Sequence, residues 1–185
     1  ISLRSAKDMA KARLETVPVV ASYLESVKTF QDNWWRNHPD EARDAWDAGL
    51  DSAPREDIRK ELGIPENARV LLYVGRIARE KYLDLLLEAF DRLAPKYPDI
   101  RLMIAGGGPY EAQCRENASR LKSSNRIVFT GAVPREKVAK YYSAGDLFSY
   151  PSPTETQGMV VCEALGAGLP CVLVNGGGTP EMVVD

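Results

Sequence analysis

Residues 69–75 read RVLLYVG, a short run that is apolar at successive rather than alternate positions and ends in glycine. Apolarity that does not alternate marks a strand covered on both faces, as in a parallel sheet layered between helices. The same texture returns in IRLMIAGGG (100–108), RIVFTG (126–131), DLFSY (146–150) and PCVLVNGGG (170–178). Amphipathic stretches separate these runs and predict helices at roughly 81–95, 109–122, 134–143 and 157–168. This βαβ rhythm predicts an α/β domain with a doubly wound parallel sheet over residues 64–185.

Each strand candidate runs into small residues at its carboxyl end: Gly75, Gly106 to Gly108, Gly131, Ser152 and Gly176 to Gly178. Open parallel sheets bind ligands outside those ends, and glycine there admits a close approach to the backbone. Five small-residue ends therefore predict one shared cleft. Glycines also end strands and cap turns for local reasons, which accounts for any one of them better than for all five.

Outside the sheet region the pattern is helical, from Ser5 to Leu62, with Pro18, Pro39 and Pro54 at first-turn positions and Gly63 as a stop. Domain organisation is thus read as a helical segment over 1–63 followed by the α/β unit over 64–185. Trp34 and Trp35 are read as core packing, with contact to a lipid surface or a partner as the alternative, and His38, the only histidine, as a turn residue before Pro39. A single histidine gives no support to a zinc site or a Ser-His-Asp triad.

The formal net charge of −2 argues against a broad nucleic-acid surface. No apolar run is long enough to cross a bilayer, and no leader of signal-peptide type is visible, so a cytoplasmic location is expected. Cys114, Cys162 and Cys171 lack paired metal spacing and are read as reduced, core or near-core thiols. The chain opens on Ile1 rather than methionine and stops at Asp185 within a helical pattern, as a piece of a longer protein would.

Charge placement suggests what the cleft holds. Arg76, Arg79 and Lys81 crowd the predicted start of a helix, where cations oppose the helix dipole unless an anion sits among them or Glu80 offsets them. In PSPTETQGMVVCEALGAGLP (151–170) the amides of Gly158, Met159 and Val160 lie at another helix start, a ready site for phosphate. Glu155 stands just ahead of that helix and Glu163 within it, among residues so apolar that the helix reads as buried nearly all round. A carboxylate there needs a protein partner, or else a ligand that supplies donors. Carboxylates accept hydrogen bonds from hydroxyls and repel diphosphate. Cations and helix amides for phosphates, with glutamates for sugar hydroxyls, match the parts of a nucleotide-sugar.

GRIAREK, AGGGP, FTGAVP, SPTETQGMVVCEALGAGLP and GGGTPE, in this order and spacing, resemble the donor-binding half of retaining GT-B glycosyltransferases of family 4. The resemblance covers about residues 64–185 and includes the E-x7-E spacing of Glu155 and Glu163. It implies one Rossmann-like half of a GT-B fold. It also implies transfer of a hexose from a nucleoside-diphosphate sugar, UDP-hexose being the leading candidate, with retention at the anomeric carbon. By the same resemblance, Arg76 and Lys81 bind the donor diphosphate and, with Glu155, form the catalytic set. Gly158, Met159 and Val160 meet the transferred sugar and phosphate, Glu163 the ribose hydroxyls, Gly131 and Val133 the base, and Gly75, Gly107 and Gly108 the cleft wall. No cofactor or metal is implied, and the sequence carries no D-x-D triplet.

Three departures stand out. Tyr82 occupies a position where the family usually carries a small residue, residues 1–50 do not match its acceptor domain, and only AGLDS (48–52) is similar to its linker. The TETQG loop (154–158) looks most like that of enzymes with lipid acceptors, which implies a peripheral membrane contact and leaves the acceptor open between sugar and lipid. The competing reading is a non-catalytic nucleotide- or partner-binding module. A nicotinamide dehydrogenase is disfavoured, because GGGPYE lacks the G-x-G-x-x-G order.

Overall fold

The computed structural model describes residues 55–153 and 159–174. The elements in chain order are α1 (Arg55–Glu61), β1 (Arg69–Val74), a 3-10 turn (Arg79–Lys81), α2 (Leu83–Leu93), β2 (Ile100–Ala105) and α3 (Glu111–Ser119). There follow β3 (Ile127–Gly131), α4 (Val138–Ala144), β4 (Leu147–Tyr150), α5 (Met159–Gly166) and β5 (Cys171–Leu173). Among the described residues the strands form one sheet in the order β3-β2-β1-β4-β5, every neighbouring pair parallel. The expected Rossmann-like α/β architecture is therefore present.

Burial follows the apolar texture of the strands. Val70 to Val74, Leu102 to Ala105 and Leu147 to Tyr150 are buried, so both faces of the central strands are covered. The edge strand β3 is only half-buried along its length. On α2, Leu83, Leu86, Leu87, Phe90 and Leu93 form the buried stripe, at the spacing of one helical face.

Residues 55–62, assigned from sequence to the amino-terminal helical segment, pack on the α/β unit. Ile58 joins the core and Arg59 is 2% exposed. Arg59 donates to Ala144 O (3.0 Å), Ala68 O (2.7 Å) and Asp146 Oδ2 (2.7 Å), and Val70 N donates to the same carboxylate oxygen at 2.6 Å. Arg55 forms a second ion pair with Asp146. Asp146 is thereby the buried acceptor at which α1, β1 and β4 meet, and its fork-shaped partner also satisfies the last carbonyl of α4 and the carbonyl just before β1.

Two expectations need correction. The helix carrying Glu163 is not buried all round: Met159 is 58% exposed, Leu165 40%, and Cys162 is also exposed, while Val161 and Ala164 face the core. An eight-residue helix on the outside of a sheet needs only one buried stripe, and the rest of its apolar surface is left outside. Of the cysteines, Cys114 is buried and Cys171 half-buried, as expected, and burial pushes both thiols up to about 12. Cys162, on the exposed face of α5, is not a core thiol.

Candidate functional site

The strand order reverses between β1 and β4, so the chain leaves these neighbours in opposite directions and a crevice opens at their carboxyl ends. On one side of that switch point, three loops are stitched together by backbone hydrogen bonds. Gly75 N donates to Ala105 O (3.0 Å), Gly106 N to Gly131 O (3.0 Å), Ile77 N to Gly107 O (2.9 Å) and Tyr110 N to Ile77 O (3.1 Å). A Cβ on Gly106 would lie 2.0 Å from Gly75 O, and one on Gly108 2.4 Å from Ile77 O. The close approach expected of a ligand at Gly106 and Gly108 is thus made by the protein's own β1 loop. Gly131, at φ +72°, meets nothing within 4 Å, whereas Gly107 stands against Ala132. Gly107 and Val133 are half-buried and Gly108 is exposed.

The cations follow β1. Helix α2 does not start among them: Tyr82 adopts a left-handed conformation (φ 52°, ψ 35°) between the 3-10 turn and Leu83, and the first turn of α2 carries Asp84. The dipole conflict expected from sequence is therefore relieved within the protein. Arg76, 60% exposed, pairs with Glu80. The Arg79 guanidinium stacks over the Tyr110 ring at 5.3 Å. Lys81 Nζ stands 5.9 Å from the centroid of the Tyr150 ring, which carries this loop across the switch point to the end of β4. Tyr110 Oη donates to Asp84 Oδ2 (2.7 Å) and Asn117 Nδ2 to Asp84 Oδ1 (2.8 Å), so the segment after Lys81 is tied to α3. The bond to Asp84, followed by burial, raises the Tyr110 phenol above its usual range.

A chain of buried rings lies beneath this edge of the sheet. Tyr73 stacks on Tyr150 (5.5 Å), Tyr150 on Phe148 (5.7 Å), and Phe148 meets Tyr142 at a tilt (5.9 Å). Tyr73 Oη donates to Arg76 O at 3.0 Å, so the first ring holds the backbone of the cationic loop. At the far end Tyr142 Oη lies 2.9 Å from Glu163 Oε2 and 3.1 Å from Val160 O. Burial, then the charge of Glu163 and its hydrogen bond, push the Tyr142 phenol far above its ordinary range, so it remains a donor. The question of a partner for Glu163 is answered in part: among the described residues it is Tyr142.

Sequence reading missed Tyr73, Tyr142 and Tyr150, whose one signal is aromatic residues at strand ends and on the short helix before β4. Arg76, Lys81 and Gly75 are brought to one sheet edge with Gly107, Gly108, Gly131 and Val133. Met159, Val160 and Glu163 lie on the first turns of α5, which follows β4. The expectations for Glu155, Gly158, Gly176 to Gly178, Trp34, Trp35 and His38 lie outside the described residues. No described helix is long and apolar enough to cross a membrane.

A parallel sheet with its strand order reversing at β1 and β4, a cationic loop after one central strand and a carboxylate-bearing helix after the other define an α/β unit of the GT-B kind. The sequence profile of the family Glycosyl transferases group 1 matches residues 54–185, and the chain belongs to that family. It is 38% identical over 148 residues to the sulfoquinovosyl transferase SQD2 of Arabidopsis thaliana, covering 76% of this chain and 27% of that one. It is 34% identical over 117 residues to an alpha-monoglucosyldiacylglycerol synthase of Streptococcus pneumoniae, covering 63% and 26%. The chain thus spans about a quarter of the length of these curated relatives. The crystal structure of Anabaena HepE in complex with UDP-glucose superposes with a TM-score of 0.62 at 26% identity, over 71% of this chain and 36% of that one.

Proposed function

We propose that this chain carries the donor-binding half of a retaining glycosyltransferase, and that its crevice holds a nucleoside-diphosphate hexose, UDP-hexose first among the candidates. The observation that carries this reading is the span of the switch point by Lys81 and Tyr150, which joins the cationic loop after β1 to the end of β4. HepE, a similar fold, is named as a complex with UDP-glucose, which supports the choice of donor.

In this reading Arg76 and Lys81 face the diphosphate, and Arg76 exchanges its exposed partner Glu80 for phosphate oxygens at little cost, since an exposed pair contributes at most about 1 kcal/mol. The two cations neutralise the leaving diphosphate as its bond to the anomeric carbon breaks, without a metal ion or cofactor. Glu155 and the amides of Gly158 to Val160 take the transferred sugar and its phosphate, and Glu163 accepts from the ribose hydroxyls. Gly131 and Val133, beside the open space at the end of β3, take the base, and Gly75, Gly107 and Gly108 form the wall between. The acceptor is a lipid or a sugar. The named activity of the streptococcal relative, a synthase of monoglucosyldiacylglycerol, supports the lipid and with it a contact at the cytoplasmic membrane face.

Thermal melting with uridine, guanosine and adenosine diphosphates tests the reading. A ligand at 100 times its dissociation constant adds about 2.7 kcal/mol, or roughly 5–10 °C for a domain of this size. One diphosphate is expected to raise the melting temperature, and Arg76→Ala and Lys81→Ala are each expected to reduce the shift. Absence of any shift with all three at millimolar concentration refutes the proposal.

A further inference from the structure

We propose that Tyr142 is a positioning residue of the donor site: its phenol fixes the Glu163 carboxylate and the first turn of α5 in the register that presents the carboxylate to the ribose diol. The inference rests on the reading of Glu163 as the ribose ligand and adds how that ligand is held. Tyr142 is 1% exposed, with its ring tilted against Phe148 at 5.9 Å, so the hydroxyl has one place to be. From there it reaches both Val160 O (3.1 Å) and Glu163 Oε2 (2.9 Å). One phenol proton is shared between two acceptors on the same helix, the backbone carbonyl of Val160 and the side chain of Glu163 three residues on, one turn apart on one face. The contact therefore sets the rotation of α5 and the rotamer of Glu163 together.

The chemistry of the partner matters. A neutral phenol orients the carboxylate and leaves its charge intact, whereas an arginine or lysine would cancel it. Tyr142 occupies one side of Oε2, and a carboxylate offers about four acceptor positions, so among the described residues this contact leaves Oε1 its capacity for two vicinal hydroxyls. A half-buried carboxylate already held in its bound rotamer loses less freedom when ligand arrives. The ring chain from Tyr142 through Phe148 and Tyr150 to Lys81 makes the two ends of the crevice one packed unit.

The test is the ratio of two dissociation constants, measured by calorimetry on the whole chain: that of 2′,3′-dideoxy-UDP over that of UDP. The guanosine or adenosine pair replaces them if melting favours that base. Two hydrogen bonds to a charged acceptor predict a ratio of about 30 or more in the wild type. Tyr142→Phe is expected to lower the ratio at least threefold, and Glu163→Ala to bring it near one. A loss of packing alone weakens both ligands alike and leaves the ratio in place. A wild type that discriminates, beside a Tyr142→Phe variant that discriminates equally, overturns the proposal and leaves the role of Glu163 standing. A wild type that binds both nucleotides equally well removes Glu163 as the ribose ligand, and the proposal falls with it. If Tyr142→Phe does not fold, 3-fluorotyrosine at position 142 takes its place: its fluorine resonance is expected to shift with UDP and not with the dideoxy compound, and an equal response to both overturns the proposal.

Discussion

Replacing Gly106 with alanine tests the geometry on which the crevice depends. Gly106 sits at φ +141°, where side chains are rarely accommodated, and its hypothetical Cβ falls 2.0 Å from Gly75 O and 2.9 Å from Gly75 C. The obstacle is backbone, held by Gly75 N to Ala105 O and Ile77 N to Gly107 O, so it cannot rotate aside as a flexible side chain would. Dihedral strain of about 1–3 kcal/mol and overpacking of about 1–3 kcal/mol give an expected loss of roughly 2–6 kcal/mol. For a domain of this size that is a drop in melting temperature of roughly 4–24 °C. Gly131→Ala is the internal standard: it shares a positive φ (+72°) but meets nothing within 4 Å, so only left-handed strain of about 1–2 kcal/mol applies. Urea unfolding of both variants, with the slope compared with wild type, separates the two costs. If Gly106→Ala costs no more than Gly131→Ala, the β1 and β2 loops do not touch as described.

Further expectations concern the frame around the site. Arg59→Met leaves the buried Asp146 carboxylate, among the described residues, with Arg55 and Val70 N and is expected to cost about 3–5 kcal/mol in urea unfolding. Arg55→Ala, at the more exposed pair, is expected to cost less than about 1 kcal/mol, and equal effects at the two positions would contradict the burial difference. Arg69 donates to both oxygens of Asp99 (2.7 and 2.8 Å), which lowers the Asp99 carboxyl below its usual range. A lowered carboxyl stabilises the fold above its unfolded pKa of about 3.9 and loses that contribution as pH falls through the lower folded value. Asp99→Asn is thus expected to be less stable by up to about 1 kcal/mol at pH 7 and to converge with wild type in acid melts; a gap that persists at pH 2 speaks against the ion pair. Tyr82→Gly relieves a left-handed conformation worth about 1–2 kcal/mol, offset in part by the greater chain entropy of glycine, and is expected to melt at or above the wild-type temperature. A clear fall would mean that the exposed ring makes contacts that outweigh the strain.

How much of this was legible beforehand differs by element. All five strands appear where the apolar runs stand, because apolarity at successive positions is written into each run locally; covering on both faces follows for β1, β2 and β4, while β3 and β5 stay half-buried. Helix starts were less legible. The stretch beginning at 81 opens on the last residue of the 3-10 turn Arg79–Lys81 and a left-handed Tyr82 before α2 begins at Leu83, and the stretch at 134 opens with another 3-10 turn at Arg135–Lys137. Neither tyrosine nor lysine announces a break of this kind. The exposed face of α5 was misread because apolar composition tells which residues dislike water, not which of them a neighbour covers.

The sequence by itself determined the doubly wound parallel sheet, the alignment of glycine-rich ends on one edge, and the residues that carry the resemblance to glycosyltransferases. Those are properties of short segments, fixed by side-chain apolarity and by backbone freedom at particular positions. Tertiary structure decided which groups complete one another: Asp146 with Arg59 across 87 residues, Glu163 with Tyr142 across 21, and Gly106 against Gly75. Each is a pairing between segments that come together only when the strands order as β3-β2-β1-β4-β5. A buried carboxylate or a missing Cβ states a need, and only the folded arrangement of neighbours states what meets it.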